Sequence, residues 1–255
     1  MRFKFFSVSI VFAVIVAAVA VSVLGAALPV APQTVQFKSG DDTISGYLSL
    51  PQGSGRHPGI VAIHEWWGLT DWVKQEADLL AAQGYVVLAV DLYRGKVASD
   101  PTEAHELMRG LPQDRAVRDL DSAFHYLAAR TDVNAKHIGS IGWCMGGGYS
   151  LQLAVHEPKL AACVVNYGSM PTDPGDIAKI NARVLGNFGA MDRGITPADV
   201  SAFEKAMRAS GKSVDVKEYP DAGHGFQNPV NKDGYNPADT ADAWKRIVAF
   251  YKQAL

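Results

Sequence analysis

The sequence predicts a single domain of the α/β class, in which a mostly parallel β-sheet carries helices on both faces. From residue 59 onward, short runs rich in Val, Ile and Ala alternate with longer segments of helical periodicity. The chain has 255 residues, enough for one large domain with a full core. Strand–helix alternation of this kind places functional residues just beyond the carboxyl ends of parallel strands.

The elements follow one another in a regular order. Strands 34–39 and 43–51 flank the turn signal Gly40-Asp41-Asp42. The later strands are predicted at 59–65, 85–93, 137–143, 161–168, 182–192 and 214–220, and the helices at 71–84, 100–110, 113–130, from Met145, 196–211 and 238–255. No internal repeat or low-complexity linker interrupts this order, so residues 28–255 are predicted to form one domain.

Composition excludes several classes of protein. The formal net charge is −2 with acidic and basic residues interspersed, so no basic patch indicates a nucleic-acid partner. Two cysteines, Cys144 and Cys163, exclude a disulfide framework and a multi-cysteine zinc site. His64-Glu65 would begin an H-E-x-x-H zinc motif, but position 68 is Gly68. We therefore expect neither a metal nor a cofactor.

The first 27 residues are predicted to be an export signal. Arg2 and Lys4 precede an uncharged apolar run from Phe5 to about Leu24, and small residues follow. The apolar run approaches the roughly 20 residues that span a bilayer, so an uncleaved N-terminal membrane anchor is the alternative. In either case the domain is expected outside the cytoplasm, in the periplasm, secreted, or tethered to the membrane.

The stretch Gly142-Trp143-Cys144-Met145-Gly146 lies between a predicted strand and a helix. It has the form of a nucleophile elbow, with cysteine in the usual position of serine. The glycines leave room for a strained nucleophile, and the helix N-terminus favours negative charge on sulfur. We therefore predict that Cys144 is a catalytic nucleophile, the alternative being a buried thiol among packing glycines. Cys163 lies inside an apolar strand and is predicted to be a buried core residue without a catalytic role.

A cysteine nucleophile requires a base and an acid. Of seven histidines, His224 lies between the last strand and the final helix, where the chain order nucleophile, acid, histidine places the base. Asp192 ends the strand 182–192 and is predicted to orient the imidazole. The alternatives are a loop histidine without a role and an aspartate that caps a helix.

A third group, Glu65-Trp66-Trp67, follows the first buried strand. The turn at this position normally supplies one backbone N–H to the oxyanion hole, so the N–H groups of Trp66 and Met145 are predicted to form it. Glu65 follows six mostly apolar residues at a strand end and is predicted to point at the nucleophile. The alternative is a surface carboxylate.

Five motifs in order resemble the dienelactone hydrolase family: HEWWGL (64–69), DLYRG (91–95), GWCMGG (142–147), GAMD (189–192) and AGHGF (222–226). The resemblance covers roughly residues 35–255. It implies an α/β-hydrolase fold with a triad of Cys144, His224 and Asp192. It also implies that Glu65 contacts the resting thiol and helps to form the thiolate when substrate binds.

Two positions depart from the family pattern. Lactone-hydrolysing members bind the substrate carboxylate with two arginines, one of them two residues after the Asp-Leu-Tyr motif and the other four residues after the histidine. Here Arg94 is shifted by one residue, and Asn228 replaces the second arginine. Tyr93, Arg94 and Trp67 are predicted to contact substrate, the alternative for the aromatic residues being packing at the sheet end.

The sequence therefore predicts a hydrolase of small-molecule activated esters or lactones that forms a thioacyl intermediate on cysteine. Thiolate is strongly nucleophilic, and a cysteine suits a substrate with a good leaving group, such as the enol of an unsaturated lactone. One alternative is a general carboxylesterase or thioesterase on the same triad. The other is a non-catalytic binding protein of the cell envelope, for which none of the three triad residues is required.

Cell fractionation is expected to recover the protein in the periplasm or medium, or in membranes with its domain outside the cytoplasm. An intact mass that begins at Leu28 would show cleavage after Ala27. A mass that includes residues 5–24, with recovery in membranes, would show an anchor. Soluble protein in the cytosol would contradict both forms of the prediction.

Overall fold

The computed structural model describes residues 30–255, and the predicted leader at residues 1–27 lies outside this range. One eight-stranded sheet forms the centre. Its strands are β1 (Val30–Ser39), β2 (Asp42–Leu50), β3 (His57–Ile63), β4 (Val86–Val90), β5 (Val133–Trp143), β6 (Ala162–Asn166), β7 (Arg183–Gly189) and β8 (Val214–Tyr219). The helices are α1 (Asp71–Ala82), α2 (Pro101–Arg109), α3 (Gln113–Ala128), α4 (Met145–His156), α5 (Pro174–Lys179), α6 (Pro197–Ala209) and α7 (Pro237–Ala254).

The sheet has the strand order β1-β2-β4-β3-β5-β6-β7-β8. β1 pairs antiparallel with β2, and β2 pairs antiparallel with β4. The pairs from β4 through β3 to β8 are all parallel. The mostly parallel sheet predicted from the sequence is therefore confirmed. Its parallel strands share one carboxyl edge, where the turns that follow β3, β5, β7 and β8 come together.

Each face of the sheet carries its own apolar core. In β3, Val61 and Ile63 face one core, and Ile60 and Ala62 face the other, as the two-residue period of a strand requires. Helices α1 and α7 cover the face that includes Ile60. Helices α3 to α6 cover the opposite face. Strands buried on both faces explain why their sequences are continuous apolar runs rather than alternating ones.

Four helices begin with the same local signal, a polar N-cap residue followed by proline: Asp100-Pro101, Asp173-Pro174, Thr196-Pro197 and Asn236-Pro237. The cap side chains accept hydrogen bonds from backbone N–H groups of the first turn, and proline loses no helical bond there. Helix α5 was not predicted from the sequence, because its six residues are too few to show a helical period. The Asp173-Pro174 pair was the available signal. Among residues 30–255, the structure has no helix long and apolar enough to cross a membrane.

Helix α4 packs closely against the end of β3 because its second residue is Gly146. A Cβ atom at Gly146 would clash with the carbonyl oxygens of Ile63 and His64, which belong to the rigid backbone. A side chain at this position would therefore push the start of α4 away from the sheet. The position of the cysteine that precedes α4 depends on this approach.

The Gly146→Ala variant is expected to lose about 1–3 kcal/mol of the free energy of unfolding, as typical overpacking does. Urea denaturation measures the loss. Gly223→Ala is the matched control, since a Cβ atom there meets nothing within 4 Å. The control is expected to stay within about 0.5 kcal/mol of the wild type. Equal stability of Gly146→Ala and the control would contradict the close packing.

Candidate active site

Cys144 lies in the turn between β5 and α4 with backbone angles φ 55° and ψ −120°. Such a positive φ is strained for a residue with a side chain, and strain of this kind concentrates at functional sites. The Cys144 N–H donates to the carbonyl of Asn166 at 3.0 Å. A Cβ at Gly142 would clash with the backbone of Gly146, so the elbow closes only because both positions are glycine. The thiol is partly exposed at the N-terminus of α4.

His224 and Asp192 form a hydrogen-bonded pair at the same edge of the sheet. The Nδ1 atom of His224 lies 2.7 Å from Oδ2 of Asp192, although 32 residues separate the two in the chain. The other carboxylate oxygen of Asp192 accepts from the N–H groups of Gly194 and Ile195 at 2.8 and 3.0 Å. Asp192 therefore has one oxygen fixed by its own loop and the other free to orient the imidazole.

The pKa of the His224 imidazole is set by opposing influences. Burial alone would lower its pKa, but hydrogen bonds and electrostatic interactions with Asp192 and Cys144 raise the pKa of His224 to about 10. Burial would raise the pKa of Asp192, and its hydrogen bonds from His224, Ile195 and Gly194 instead bring it below the usual 3.8. An imidazolium beside a cysteine favours the thiolate form of sulfur.

Glu65 is buried behind this group, with 5% of its surface exposed. Its Oε2 atom accepts a hydrogen bond of 2.6 Å from Nδ2 of Asn228. The amide of Asn228 is oriented by its other end, since Oδ1 accepts from the N–H of Val230 at 2.9 Å. Within residues 30–255 the Glu65 carboxyl thus bonds Asn228, whereas the family resemblance implies a contact with the Cys144 thiol.

Burial raises the pKa of Glu65 to about 7. The hydrogen bond from Asn228, the charge of His224 and the Tyr167 hydroxyl act in the opposite direction and limit the rise. A carboxyl with a pKa near 7 exchanges a proton easily at neutral pH, which suits a general base. Buried carboxyl groups whose pKa is shifted in this way are typical of functional sites.

The backbone N–H groups of Trp66 and Met145 donate to no acceptor within residues 30–255. Trp66 follows β3, and Met145 is the first residue of α4. Because α4 packs against the end of β3 at Gly146, the two turns that carry these donors are neighbours. The arrangement has the elements of an oxyanion hole.

A cavity of about 470 Å³ opens over the thiol. Its walls are uncharged apart from His224, and no lysine or arginine is among them. The lining residues are Met108, Gln113, Cys144, Met145, Gly148, Tyr149, Gln152, Tyr167, Ser169, Ile195 and His224. The volume falls within the range of small-molecule sites.

The structure does not bring Arg94 to this cavity, which corrects the prediction that it contacts substrate. The turn after β4 has positive φ at Arg94 and Gly95, 58° and 88°. This turn directs the guanidinium toward α3, where Nη1 lies 2.8 Å from Oδ2 of the buried Asp119. Nη2 lies 3.7 Å from the Asp42 carboxylate at the start of β2. Arg94 therefore joins α3 to the antiparallel edge of the sheet.

Tyr93 and Trp67 also lie outside the walls of the cavity, against the prediction. The Tyr93 hydroxyl donates to Sδ of Met145 at 3.3 Å, and its ring packs on His64. Tyr93 therefore contacts Met145, a residue of the cavity wall, without lining the cavity itself. The Trp67 ring packs edge-on against Trp66 with centroids 5.0 Å apart, and its carbonyl accepts from Ala98. Both aromatic residues therefore pack at the end of the sheet, which was the alternative to substrate contact.

Two residues at the end of β6 were missed in the sequence. Asn166 accepts from the amides of Gln227 and Asn187 at 3.0 and 2.9 Å and donates to the carbonyl of Gly142 at 3.2 Å. Tyr167 has φ 40°, and its ring packs against His224 with centroids 5.3 Å apart. Their signal was the polar-aromatic pair directly after a buried strand, where the sheet places functional residues.

One cluster of metal-binding side chains occurs elsewhere in the described chain. Asp121, His125 and Glu157 offer ligand atoms within 4.8 Å of one another. Nε2 of His125 lies 3.6 Å from Asp121 and 3.5 Å from Glu157, the spacing of a surface ion-pair cluster. The cluster shares no residue with the catalytic cavity.

Glu65→Gln is expected to stabilise the protein at pH 8 and to leave its stability unchanged at pH 4. The folded pKa of about 7 lies above the ordinary 4.5, so the folded protein binds more protons between these values. The wild type therefore loses stability as pH rises through this window, by on the order of 2–3 kcal/mol. Urea denaturation at several pH values measures the free energy of unfolding of both proteins. Glu106→Gln, at an exposed position of α2, is the control. If the difference in the free energy of unfolding between Glu65→Gln and the wild type did not change with pH, the proposed burial of an ionised Glu65 carboxylate would be contradicted.

Comparison with known proteins identifies the family. Residues 44–255 match the dienelactone hydrolase family. Protein usf of Aquifex pyrophilus is 32% identical over 231 residues, which cover 88% of this chain and 99% of the relative. A protein of Methylorubrum extorquens named "Putative carboxymethylenebutenolidase" is 30% identical, with 86% of this chain and 80% of the relative covered.

A solved structure from Klebsiella pneumoniae, described as a "Putative Dienelactone Hydrolase", superimposes with a TM-score of 0.80 at 26% identity. The match covers 88% of this chain and 98% of that protein. The chain has the α/β-hydrolase fold, belongs to the dienelactone hydrolase family, and is a hydrolase that acts on lactone or ester bonds.

Proposed function

We propose that the protein hydrolyses uncharged activated esters or lactones through a thioacyl intermediate on Cys144. The observation that carries the proposal is the strained cysteine at the N-terminus of α4, with the His224–Asp192 pair beside it in one cavity. A structural cysteine requires neither the strain nor the charged imidazole. Both features are what a nucleophile and its base require.

In the first half-reaction the Cys144 sulfur attacks the carbonyl carbon, and a sulfur–carbon bond forms. The carbonyl oxygen becomes an oxyanion, which the N–H groups of Trp66 and Met145 stabilise. As the carbon–oxygen bond to the leaving group breaks, the His224 imidazolium donates its Nε2 proton to the departing alkoxide or enolate. In a lactone, the leaving oxygen stays attached to the acyl chain and the ring opens.

In the second half-reaction His224, now neutral, removes a proton from water, and the hydroxide attacks the thioester carbon. The oxyanion forms again in the same hole and collapses with loss of the Cys144 thiolate. The carboxylic acid leaves, and His224 is again protonated beside sulfur. Throughout both steps the Asp192 carboxylate fixes the tautomer of the ring and stabilises its positive charge.

Glu65 is proposed to remove the thiol proton in those molecules in which sulfur is protonated. Its pKa of about 7 matches this task at neutral pH. In the resting protein the hydrogen bond from Asn228 holds the carboxyl behind the triad. Substrate that enters the cavity and disturbs this bond would release Glu65 toward the thiol. A thiol activated mainly in the presence of substrate is less exposed to oxidation.

The substrate class follows from the walls of the cavity. The lining offers methionine, tyrosine and neutral amide side chains, and His224 is its one basic group. Asn228, which replaces an arginine of the family pattern, is engaged with Glu65, and Arg94 is engaged with Asp119. Among the lining residues of this cavity, none besides His224 is a cation that could bind a substrate carboxylate. A general esterase or thioesterase would use the same machinery, and a screen of lactones, esters and thioesters separates these classes.

Cys144→Ala is expected to abolish turnover of p-nitrophenyl acetate, and His224→Ala to reduce kcat by at least a thousandfold. Asp192→Asn should cost comparable or less activity, because it disturbs the tautomer rather than the attack. Intact-mass measurement after rapid acid quench should show one acetyl adduct in the wild type. The buried Cys163→Ala variant controls for the loss of a thiol. Retention of more than a tenth of kcat in Cys144→Ala would exclude Cys144 as the nucleophile. If the wild type and all three triad variants hydrolysed the ester at the same slow background rate, the result would favour a binding protein without catalytic activity.

A methylidene butenolide is expected to have a higher kcat/KM than its carboxymethylidene analogue. A charge-assisted hydrogen bond to the carboxylate contributes about 1.5–3 kcal/mol, and its absence costs roughly ten- to a hundredfold. Gln152→Arg adds a cation to the wall of the cavity and should narrow the difference. Gln253→Arg adds the same charge on the exposed end of α7 and should not. Better turnover of the charged lactone by the wild type would refute the assigned substrate class.

A further inference from the structure

A second cavity of about 230 Å³ lies between α1, α7 and the loop that follows His224. It shares no lining residue with the catalytic cavity. The walls include Glu76 and Leu79 of α1, Trp244 and Thr240 of α7, and Gln227 and Tyr235 of the loop. Leu79 and Tyr235 are among the exposed large hydrophobic residues, at 49% and 38% of their surface. The cavity therefore has an apolar and aromatic rim open to solvent.

Glu76 is the charged group on this wall. Its carboxyl accepts a hydrogen bond from the Trp72 side chain. None of the ion pairs formed by residues 30–255 includes it: the neighbouring Lys74 pairs with Asp71, and Lys217 pairs with Asp242. Burial raises the pKa of Glu76 to about 7. The Glu76 side chain is half-buried, and a cation that entered the cavity would be stabilised because this partly desolvated carboxylate forms no ion pair among residues 30–255.

The polar side chains of Gln227 and Thr240 on the same wall are hydrogen-bonded within the protein. The Gln227 amide accepts from Trp143 at 3.1 Å and donates to Asn166 at 3.0 Å. The Thr240 hydroxyl donates to backbone carbonyls of Phe226 and Asn236. A ligand therefore meets one unpaired carboxylate together with the rings of Tyr235 and Trp244. Carboxylates and aromatic rings are the groups that bind organic ammonium ions.

We propose that this cavity is a binding site for a small organic cation, an ammonium group attached to a compact apolar or aromatic body. The Glu76 carboxylate binds the ammonium, and Leu79, Tyr235 and Trp244 contact the apolar part. The site is separate from the proposed catalytic function and does not require it.

Side-chain contacts connect the site to the turn that carries Cys144. Trp72, the partner of Glu76, packs on Trp143 with ring centroids 5.3 Å apart. Trp143 directly precedes Cys144 and donates to Gln227, which is both a wall of the second cavity and a partner of Asn166. A cation at Glu76 therefore lies one layer of side chains from the nucleophile without entering its cavity.

Isothermal titration calorimetry at pH 8 with three probes of one shape tests the site. Phenethylammonium is expected to bind at least about tenfold more tightly than phenethyl alcohol, a difference of about 1.4 kcal/mol. Phenylacetate should bind more weakly than the alcohol. Alkylation of Cys144 with iodoacetamide, which fills the catalytic cavity, should leave these affinities unchanged.

Glu76→Gln should remove the advantage of the cation over the alcohol, and Glu106→Gln, an exposed glutamate of α2, should keep it. Ala241→Phe adds a ring to the wall from the exposed side of α7 and should weaken cation and alcohol together. Equal affinities for the three probes, an advantage that persists in Glu76→Gln, loss of binding on alkylation of Cys144, or no binding at millimolar probe would each overturn the proposal.

Discussion

The structure depends on how closely the backbone of α4 approaches the ends of β3 and β5. Gly142 and Gly146 contact backbone at distances that a Cβ atom could not tolerate. This contact fixes the start of α4, and the start of α4 fixes three things at once: the thiol of Cys144, the free N–H of Met145 and one wall of the cavity. The strained φ at Cys144 is a consequence, because the chain must reverse between strand and helix within one residue.

Beneath the elbow, buried amides connect segments that are distant in sequence. Asn166 joins the end of β5 to β7 and to the loop after β8, through Gly142, Asn187 and Gln227. Buried amides of this kind are stabilising only when all their partners are present, so they fix the relative positions of the segments that they join. The loop that carries His224 is therefore tied to the end of β5, the strand that precedes Cys144, by a path that includes neither of these two side chains.

The sequence predicted the eight strands and six of the seven helices because each has a strong local signal, an apolar run or a helical period. It also placed Cys144, Asp192, His224 and Glu65 at strand ends, and the structure brings these residues to one edge of the sheet. The sequence did not predict which distant residues would pair with each other. The partners of Arg94 and Glu65 lie on α3 and in the loop after β8, 163 residues from Glu65 in the latter case. A turn with positive φ reversed the direction of Arg94, and no local pattern shows which way such a side chain will point.

Helix α5 and the role of Asn228 show two other limits. A six-residue helix has no measurable period, and its N-cap was visible only as an Asp-Pro pair. At Asn228 the departure from the family pattern was visible in the sequence, but its meaning was not. The amide of Asn228 bonds the buried carboxyl of Glu65, and this pairing becomes clear only when both ends of the hydrogen bond are located.

His224 and Asn228 belong to one short loop, four residues apart, and this has a consequence for how such an enzyme changes in evolution. His224 is hydrogen-bonded to Asp192, and Asn228 donates to the buried carboxyl of Glu65. Exchange of this single segment between relatives would transfer the base together with the resting partner of Glu65, while the sheet and the elbow stayed as they are. Under the proposed mechanism, a single substitution at position 228 would therefore change how readily Glu65 reaches the thiol, with Cys144, Asp192 and His224 unchanged.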